Sequence, residues 1–127
     1  MRAVEENFEG VEKLFIISDF DFYNLNLVLG LSVQRENRGQ IIDTYKINLE
    51  MLYESGQSVF EVVLGFTGVR CLKIPEVCGS FYLSEVEIDD VSADQLEGVK
   101  YRLKDYGGTG FEVLAQGLSV IRCEPLQ

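Results

Sequence analysis

One apolar run, residues 58–75 with the sequence SVFEVVLGFTGVRCLKIP, constrains the fold of this chain more than any other stretch. The residues before Gly65 are mostly β-branched, aromatic or large aliphatic. A run of this kind predicts a strand that is buried on both faces. A helix is the alternative, but Gly65 and Gly68 and the β-branched content disfavour it. We expect a bend after Gly68, a short second strand, and an end at Pro75.

Alternation of apolar and polar residues predicts further strands on both sides of this run. It is cleanest over residues 43–53, where apolar side chains recur at every second position: Tyr45, Ile47, Leu49, Met51 and Tyr53. Such alternation places one face of a strand on a core and the other in water. With an alternating segment at 18–34 and turn residues at 36–39 and 54–57, residues 22–68 predict a three-stranded antiparallel meander. The same pattern predicts later strands, at residues 80–91, 99–104, 111–115 and 118–122.

These segments together predict an all-β fold, an antiparallel sandwich or partly open barrel of about eight strands with one or two short helices. Residues 1–127 are expected to form a single domain, because the length suits one core. A helix of about one turn is expected at residues 93–97, since Ser92 is a suitable N-cap and Gln95 occupies the capping-box position. Gly98 is placed to end that helix.

The balance of charge restricts the class of partner. The chain carries 21 acidic and 11 basic residues, for a net charge of −10. This disfavours nucleic acid and anionic membranes as partners, because phosphates are bound by Lys and Arg. No apolar run reaches the ~18 residues that a membrane helix needs. The first ten residues, MRAVEENFEG, carry acids where a signal peptide is basic and apolar, so we expect a cytoplasmic protein.

Residues suited to catalysis or metal binding are scarce. The chain has no histidine, the commonest general base and metal ligand. Cys71, Cys78 and Cys123 lack the paired spacing of a zinc site and are expected to be reduced, buried thiols. Two glycine-rich segments, 65–68 and 107–110, lack the helix that follows a phosphate-binding loop. We therefore expect no cofactor, no metal ion and no catalytic residue.

The segregation of charge between Lys73 and Lys100 exceeds what strand alternation requires. This interval contains seven acidic residues and no basic one. Lys100, Arg102 and Lys104 follow on one face of a strand, and they are expected to pair with the strand acids if the two strands are neighbours. The acids around the short helix would then stay unpaired. The predicted binding surface is therefore acidic and comprises Asp90, Asp94, Glu97, Glu85, Glu87 and Asp89.

Two segments within residues 59–106, VVLGFTGVRCLKIP and FYLSEVEIDDVSADQLEGVKYRLKDY, resemble small acidic β-rich bacterial proteins. Some of those proteins are assigned as immunity proteins against toxins. The resemblance implies a protein-binding role and brings no shared active-site motif with it.

The sequence thus favours a non-enzymatic interaction module that presents an acidic surface to a basic protein partner, as an immunity protein does. The alternative is a small-molecule-binding β-fold or a carboxylate-dependent enzyme. A pocket lined by Phe20, Phe22, Tyr45 and Tyr101 with an inward-pointing acid would favour that alternative. A structural or oligomeric module without a ligand is the third possibility, and the oligomeric state is left open.

Overall fold

The computed structural model describes residues 8–36, 44–94 and 98–126. Within these ranges six strands form one antiparallel sheet in the order β1-β2-β3-β6-β5-β4. The strands are β1 Leu27–Arg35, β2 Tyr45–Ser55, β3 Ser58–Lys73, β4 Val86–Asp90, β5 Tyr101–Asp105 and β6 Glu112–Leu126. The same ranges contain three short 3-10 helices: Val11–Ile16 and Phe22–Asn24 precede β1, and Ser92–Asp94 lies between β4 and β5.

The predicted antiparallel all-β fold is confirmed, in the form of an open sheet. Two strands are longer than the sequence suggested, because β3 continues past Gly68 and β6 continues past Gly117. These two glycines lie close together in the ladder, where Gly117 pairs with Thr67. The sequence predicts about eight strands, whereas the described part of the chain has six. The difference arises because neither glycine ends its strand.

The central apolar run forms the middle of the sheet, between β2 and β6. Val63, Leu64 and Phe66 are at most 4% exposed, so the prediction of a strand buried on both faces is confirmed here. On the inner face Leu64 lies between Leu49 of β2 and Val120 of β6. The predicted meander of β1, β2 and β3 is also confirmed by their antiparallel pairing.

The inner face of the sheet is covered by the N-terminal segment, residues 8–25, and this segment takes the place of the second layer expected in a sandwich. Its buried side chains join the core cluster of the sheet. Phe20 stacks on Tyr53 with ring centroids 4.7 Å apart and meets Phe22 edge-on at 4.9 Å. The Asp21 carboxylate accepts a hydrogen bond from the Tyr23 N–H and starts a 3-10 turn, which directs both phenylalanines inward.

The two edges of the sheet approach each other at one end of the molecule. β1 and β4 are the edge strands, yet residues 81–83, just before β4, pair with residues 26–28 at the start of β1. The Val28 N–H donates to the Phe81 carbonyl at 2.9 Å, and the Leu83 N–H donates to the Asn26 carbonyl at 2.7 Å. The sheet is therefore strongly curved, and it remains open because this contact is short.

Candidate functional site

Most of the predicted acidic residues lie on or beside β4, an edge strand of the sheet. The register of β4 and β5 places Glu87 opposite Lys104 and Asp89 opposite Arg102. Arg102 Nη2 lies 3.6 Å from Asp89 Oδ2, which forms an ion pair between two side chains that are about a third exposed. The predicted pairing of strand acids with the basic row is therefore confirmed for Asp89 and Arg102.

Asp90 ends β4 and contacts the short helix that follows. Its Oδ1 accepts hydrogen bonds from the Ser92 hydroxyl at 2.5 Å and from the Ser92 N–H at 2.9 Å. These bonds lower the pKa of the Asp90 carboxyl below its usual 3.8, so it is charged at neutral pH. Asp90 therefore accepts the first N–H of the helix, whereas the predicted capping box of Ser92 involves Gln95, which lies outside the described residues. The helix predicted at 93–97 corresponds to Ser92–Asp94, and residues 95–97 lie outside the described residues.

The other predicted acids are placed differently. Glu85 lies just before β4, and its Oε2 accepts a hydrogen bond from the Tyr23 hydroxyl at 2.9 Å. Asp94 is the last residue of the 3-10 helix, and Glu97 lies outside the described residues. Four of the six predicted residues therefore lie along one edge strand and its start. We call these four residues the acidic edge: Glu85, Glu87, Asp89 and Asp90.

Asp105, at the end of β5, is a buried carboxylate that sequence reasoning missed. It is 2% exposed. Its Oδ1 accepts hydrogen bonds from the N–H groups of Ser84, Glu85 and Gly107 at 3.2, 2.7 and 3.0 Å. Its Oδ2 accepts one from the Thr109 hydroxyl at 2.6 Å. One side chain therefore ties the start of the acidic edge to the loop after β5.

The hydrogen bonds decide the ionisation of Asp105. Burial alone would raise its pKa, but the hydrogen bonds from Thr109 and the three N–H groups outweigh burial and hold the pKa below the usual 3.8. A carboxylate saturated with donors in this way is a structural anchor. The signal was present in the sequence, because Asp105 is followed by Tyr-Gly-Gly-Thr, and Asp two residues before Gly is typical of turns closed by the Asp side chain.

A second surface feature is a cavity of about 310 Å³ between β1, β2 and the loop before β4. Leu52 of β2 pairs with Leu27 of β1, and Leu27 forms a bridge with Tyr82 on its other side. Tyr82 is 57% exposed. The remaining lining residues are polar: Asn24, Asn26 and Glu54. We call this feature the Tyr82 cavity. No sequence pattern indicates this cavity, because its residues come from three separate segments.

The aromatic residues named for an alternative ligand site do not line one pocket in the structure. Phe20, Phe22 and Tyr101 are at most 8% exposed and belong to the core. Tyr45 is 40% exposed and lines an apolar groove with Val33 and other residues of β2 and β3. These four side chains therefore do not form a shared pocket.

The described residues contain no group of three or more Cys, His, Asp or Glu side chains that could hold a metal ion. No helix among them is long and apolar enough to cross a bilayer. The three cysteines are free thiols. Cys78 is exposed, so the prediction of a buried thiol is wrong there, whereas Cys71 and Cys123 are partly buried. Burial and, to a smaller extent, the charge of Glu124 raise the pKa of Cys123 to about 11.

Comparison with known proteins identifies the family. A family model described as Immunity protein PIM8 matches residues 17–118 of the 127 residues. No curated protein and no solved structure matches the chain. The matched region extends well beyond residues 59–106, for which the sequence predicted a resemblance, and it contains the acidic edge and the whole lining of the Tyr82 cavity. Because the match covers most of its length, the chain belongs to the Immunity protein PIM8 family.

Proposed function

We propose that this protein is a non-enzymatic immunity protein that binds a basic protein toxin through the acidic edge. Membership of the family supports the general role, binding of a partner protein. The distribution of charge supports the more specific proposal. With 21 acidic and 11 basic residues, ten carboxylates remain even if every base is paired, and no base lies between Lys73 and Lys100.

The position of the acidic edge suits this role. It follows an edge strand, where Asp90 is exposed and Glu85, Glu87 and Asp89 are partly exposed. The hydrogen bonds of Asp90 come from neutral groups of Ser92, so they hold its negative charge in place without cancelling it. Acidic surfaces accelerate the encounter with basic partners through long-range attraction. The proposal places the complex in the cytoplasm, where the three thiols would stay reduced.

The first experiment is capture of the partner from the native source at low salt, followed by mass spectrometry. We expect a basic protein in stoichiometric amount. The association rate of the purified pair is then measured as a function of salt for three proteins. These are the wild type, an edge variant (Glu85→Gln, Glu87→Gln, Asp90→Asn), and a control variant with the same change of charge on other elements (Glu12→Gln, Asp19→Asn, Glu124→Gln).

The edge variant is expected to associate about tenfold more slowly at low salt and to lose much of the salt dependence. The control variant should behave nearly as the wild type. A further variant, Asp94→Asn with Glu97→Gln, tests the two predicted acids that follow the edge. If the edge and control variants associate equally fast, the acidic edge does not guide binding and the proposal is overturned.

A further inference from the structure

The Tyr82 cavity has an apolar floor built from neighbouring strands. Leu27 and Leu52 are directly opposite each other in β1 and β2, and both are half-buried. Tyr82 is the bridge partner of Leu27 on its other side, so the three side chains share one face of the sheet. Two backbone hydrogen bonds between segments 26–28 and 81–83, of 2.9 and 2.7 Å, hold Tyr82 beside this floor.

The polar groups of the cavity are free to bind a ligand. Glu54 lies two residues after Leu52 in β2, so its carboxylate is on the same face as the floor. The side chains of Glu54, Asn24, Asn26 and Tyr82 form no hydrogen bond or ion pair with any residue that the structure describes. The lining contains no basic residue. A negative charge, two amides and an exposed aromatic ring therefore surround an aliphatic floor.

From this arrangement we propose that the Tyr82 cavity binds an arginine side chain of the protein partner. The proposal deepens the proposed toxin binding and rests on it. A guanidinium group carries five N–H donors in a plane, which suit a carboxylate and amide oxygens placed around it. Its face stacks on an aromatic ring, as Tyr82 offers, and its methylene stem packs on apolar side chains such as Leu27 and Leu52.

Size and position agree with a single side chain as the occupant. Small-molecule sites range from about 300 to 1,000 Å³, and the cavity of about 310 Å³ lies at the lower end. The cavity also adjoins the acidic edge, because Asn24 follows Tyr23, whose hydroxyl donates to Glu85. Arginine is favoured over lysine, since the acceptors are spread around the cavity and match a planar fork better than a point charge.

The first test uses the protein alone. The isotope-labelled protein is titrated with Nα-acetyl-arginine methylamide, and its side-chain amide signals are followed by NMR. We expect saturable shifts at Asn24 and Asn26, with a dissociation constant of roughly 1–10 mM for so small a ligand. The citrulline derivative, which has the same shape without the charge, should give no such shifts, and the lysine derivative should bind more weakly.

Variants separate the roles of the charge and the ring. Glu54→Gln should remove the arginine response, and Tyr82→Ala should weaken it. Glu12→Gln, a matched loss of charge in the first 3-10 helix, should leave it unchanged. Both cavity side chains are exposed, so the thermal midpoints of the variants should equal that of the wild type. The proposal is overturned if arginine produces no saturable shift at the two asparagines, or if citrulline or lysine produces an equal one.

The second test uses the captured toxin. Glu54→Gln is expected to raise its Kd about tenfold or more, mainly through faster dissociation, whereas Glu12→Gln should not change it. If the toxin binds the wild type and Glu54→Gln equally well, the Tyr82 cavity does not bind an arginine of the toxin. The proposed function is unaffected by that result. If the wild type captures no basic protein, the proposed function is wrong, and the titration alone decides whether the cavity binds guanidinium groups.

Discussion

Replacement of Asp105 by asparagine is expected to destabilise the fold by about 2–4 kcal/mol at neutral pH. Asparagine keeps the shape and one carbonyl oxygen for the three N–H donors, but it removes the charge that strengthens four hydrogen bonds. A hydrogen bond to a charged group contributes about 1.5–3 kcal/mol, and a neutral one about 0.5–1.5 kcal/mol. A loss of about 0.5–1 kcal/mol on each of the four bonds gives this range.

The stability difference between the wild type and Asp105→Asn should also depend on pH, which a loss of packing alone would not cause. The pKa of Asp105 is lowered in the folded protein relative to the usual 3.8. Its stabilising contribution is therefore complete above the unfolded-state pKa and is lost as the pH falls through the lower, folded-state value. The difference in stability between the wild type and Asp105→Asn should be constant above about pH 5 and should shrink below about pH 4.

Urea unfolding at several pH values measures this difference, with the free energy of unfolding obtained by linear extrapolation. Circular dichroism or tyrosine fluorescence serves as the signal, because the chain has six tyrosines and no tryptophan. Glu12→Gln is the control for loss of one exposed carboxylate. An unchanged urea midpoint for Asp105→Asn at neutral pH would refute the role of Asp105 as an anchor. A difference that persists undiminished in acid would refute the contribution of its charge.

Three further predictions concern the core, the long ladder and a thiol. Leu64→Ala, at a fully buried position, should cost about 2–5 kcal/mol in urea unfolding, and a loss below ~1 kcal/mol would contradict the central place of β3. Gly117→Ala would press its Cβ against Thr67 Oγ1 and should cost about 1–3 kcal/mol. Adding Thr67→Ala should recover most of that loss, and a purely additive double-mutant cycle would refute the clash. Cys123, with a pKa of about 11, should react with iodoacetamide far more slowly than exposed Cys78 at about pH 8, and mass spectrometry showing equal rates would contradict its burial.

A strand could be predicted from the sequence where apolar and polar residues alternate within a single segment. Residues 45–51 alternate without interruption, and the structure buries Ile47, Leu49 and Met51 completely. The number of strands was less predictable, because a glycine in a strand pattern signals either an end or a continuation. Gly68 adopts a φ of 61° within β3, and the strand continues because β6 pairs with it on both sides of this point. Only the partner strand decides between the two outcomes.

The path of the N-terminal third was not predictable for a similar reason. Leucines recur at every second position from Leu25 to Leu31, a pattern that is typical of one strand face. The structure instead has a register shift between Val28 and Gly30 of β1, and Leu29 is 46% exposed. A bulge depends on how β1 meets β2, and the alternation of one strand carries no information about that.

The candidate site also has one part that local sequence predicts and one part that depends on distant contacts. Pairing of Asp89 with Arg102 follows from two strands that are close in sequence, so alternation of charge was sufficient to predict it. The Tyr82 cavity depends on a contact between residues 26–28 and 81–83, which are far apart in the chain. No spacing rule signals such a contact. Buried Asp105 was recognisable only as a turn residue, because its burial results from the same loop path.

Asp105 also connects the two surfaces on which the proposals rest. Its carboxylate holds the N–H groups of Ser84 and Glu85, while the Glu85 side chain accepts a hydrogen bond from Tyr23. Tyr23 precedes Asn24, which lines the Tyr82 cavity. The acidic edge and the cavity are therefore neighbouring parts of one surface, which places the charge proposed to accelerate encounter next to the site proposed to slow release. Because Asp105 holds the backbone at residues 84–85, between Tyr82 and β4, Asp105→Asn should both slow toxin association and speed toxin dissociation. The edge and cavity variants should each change one of the two rates.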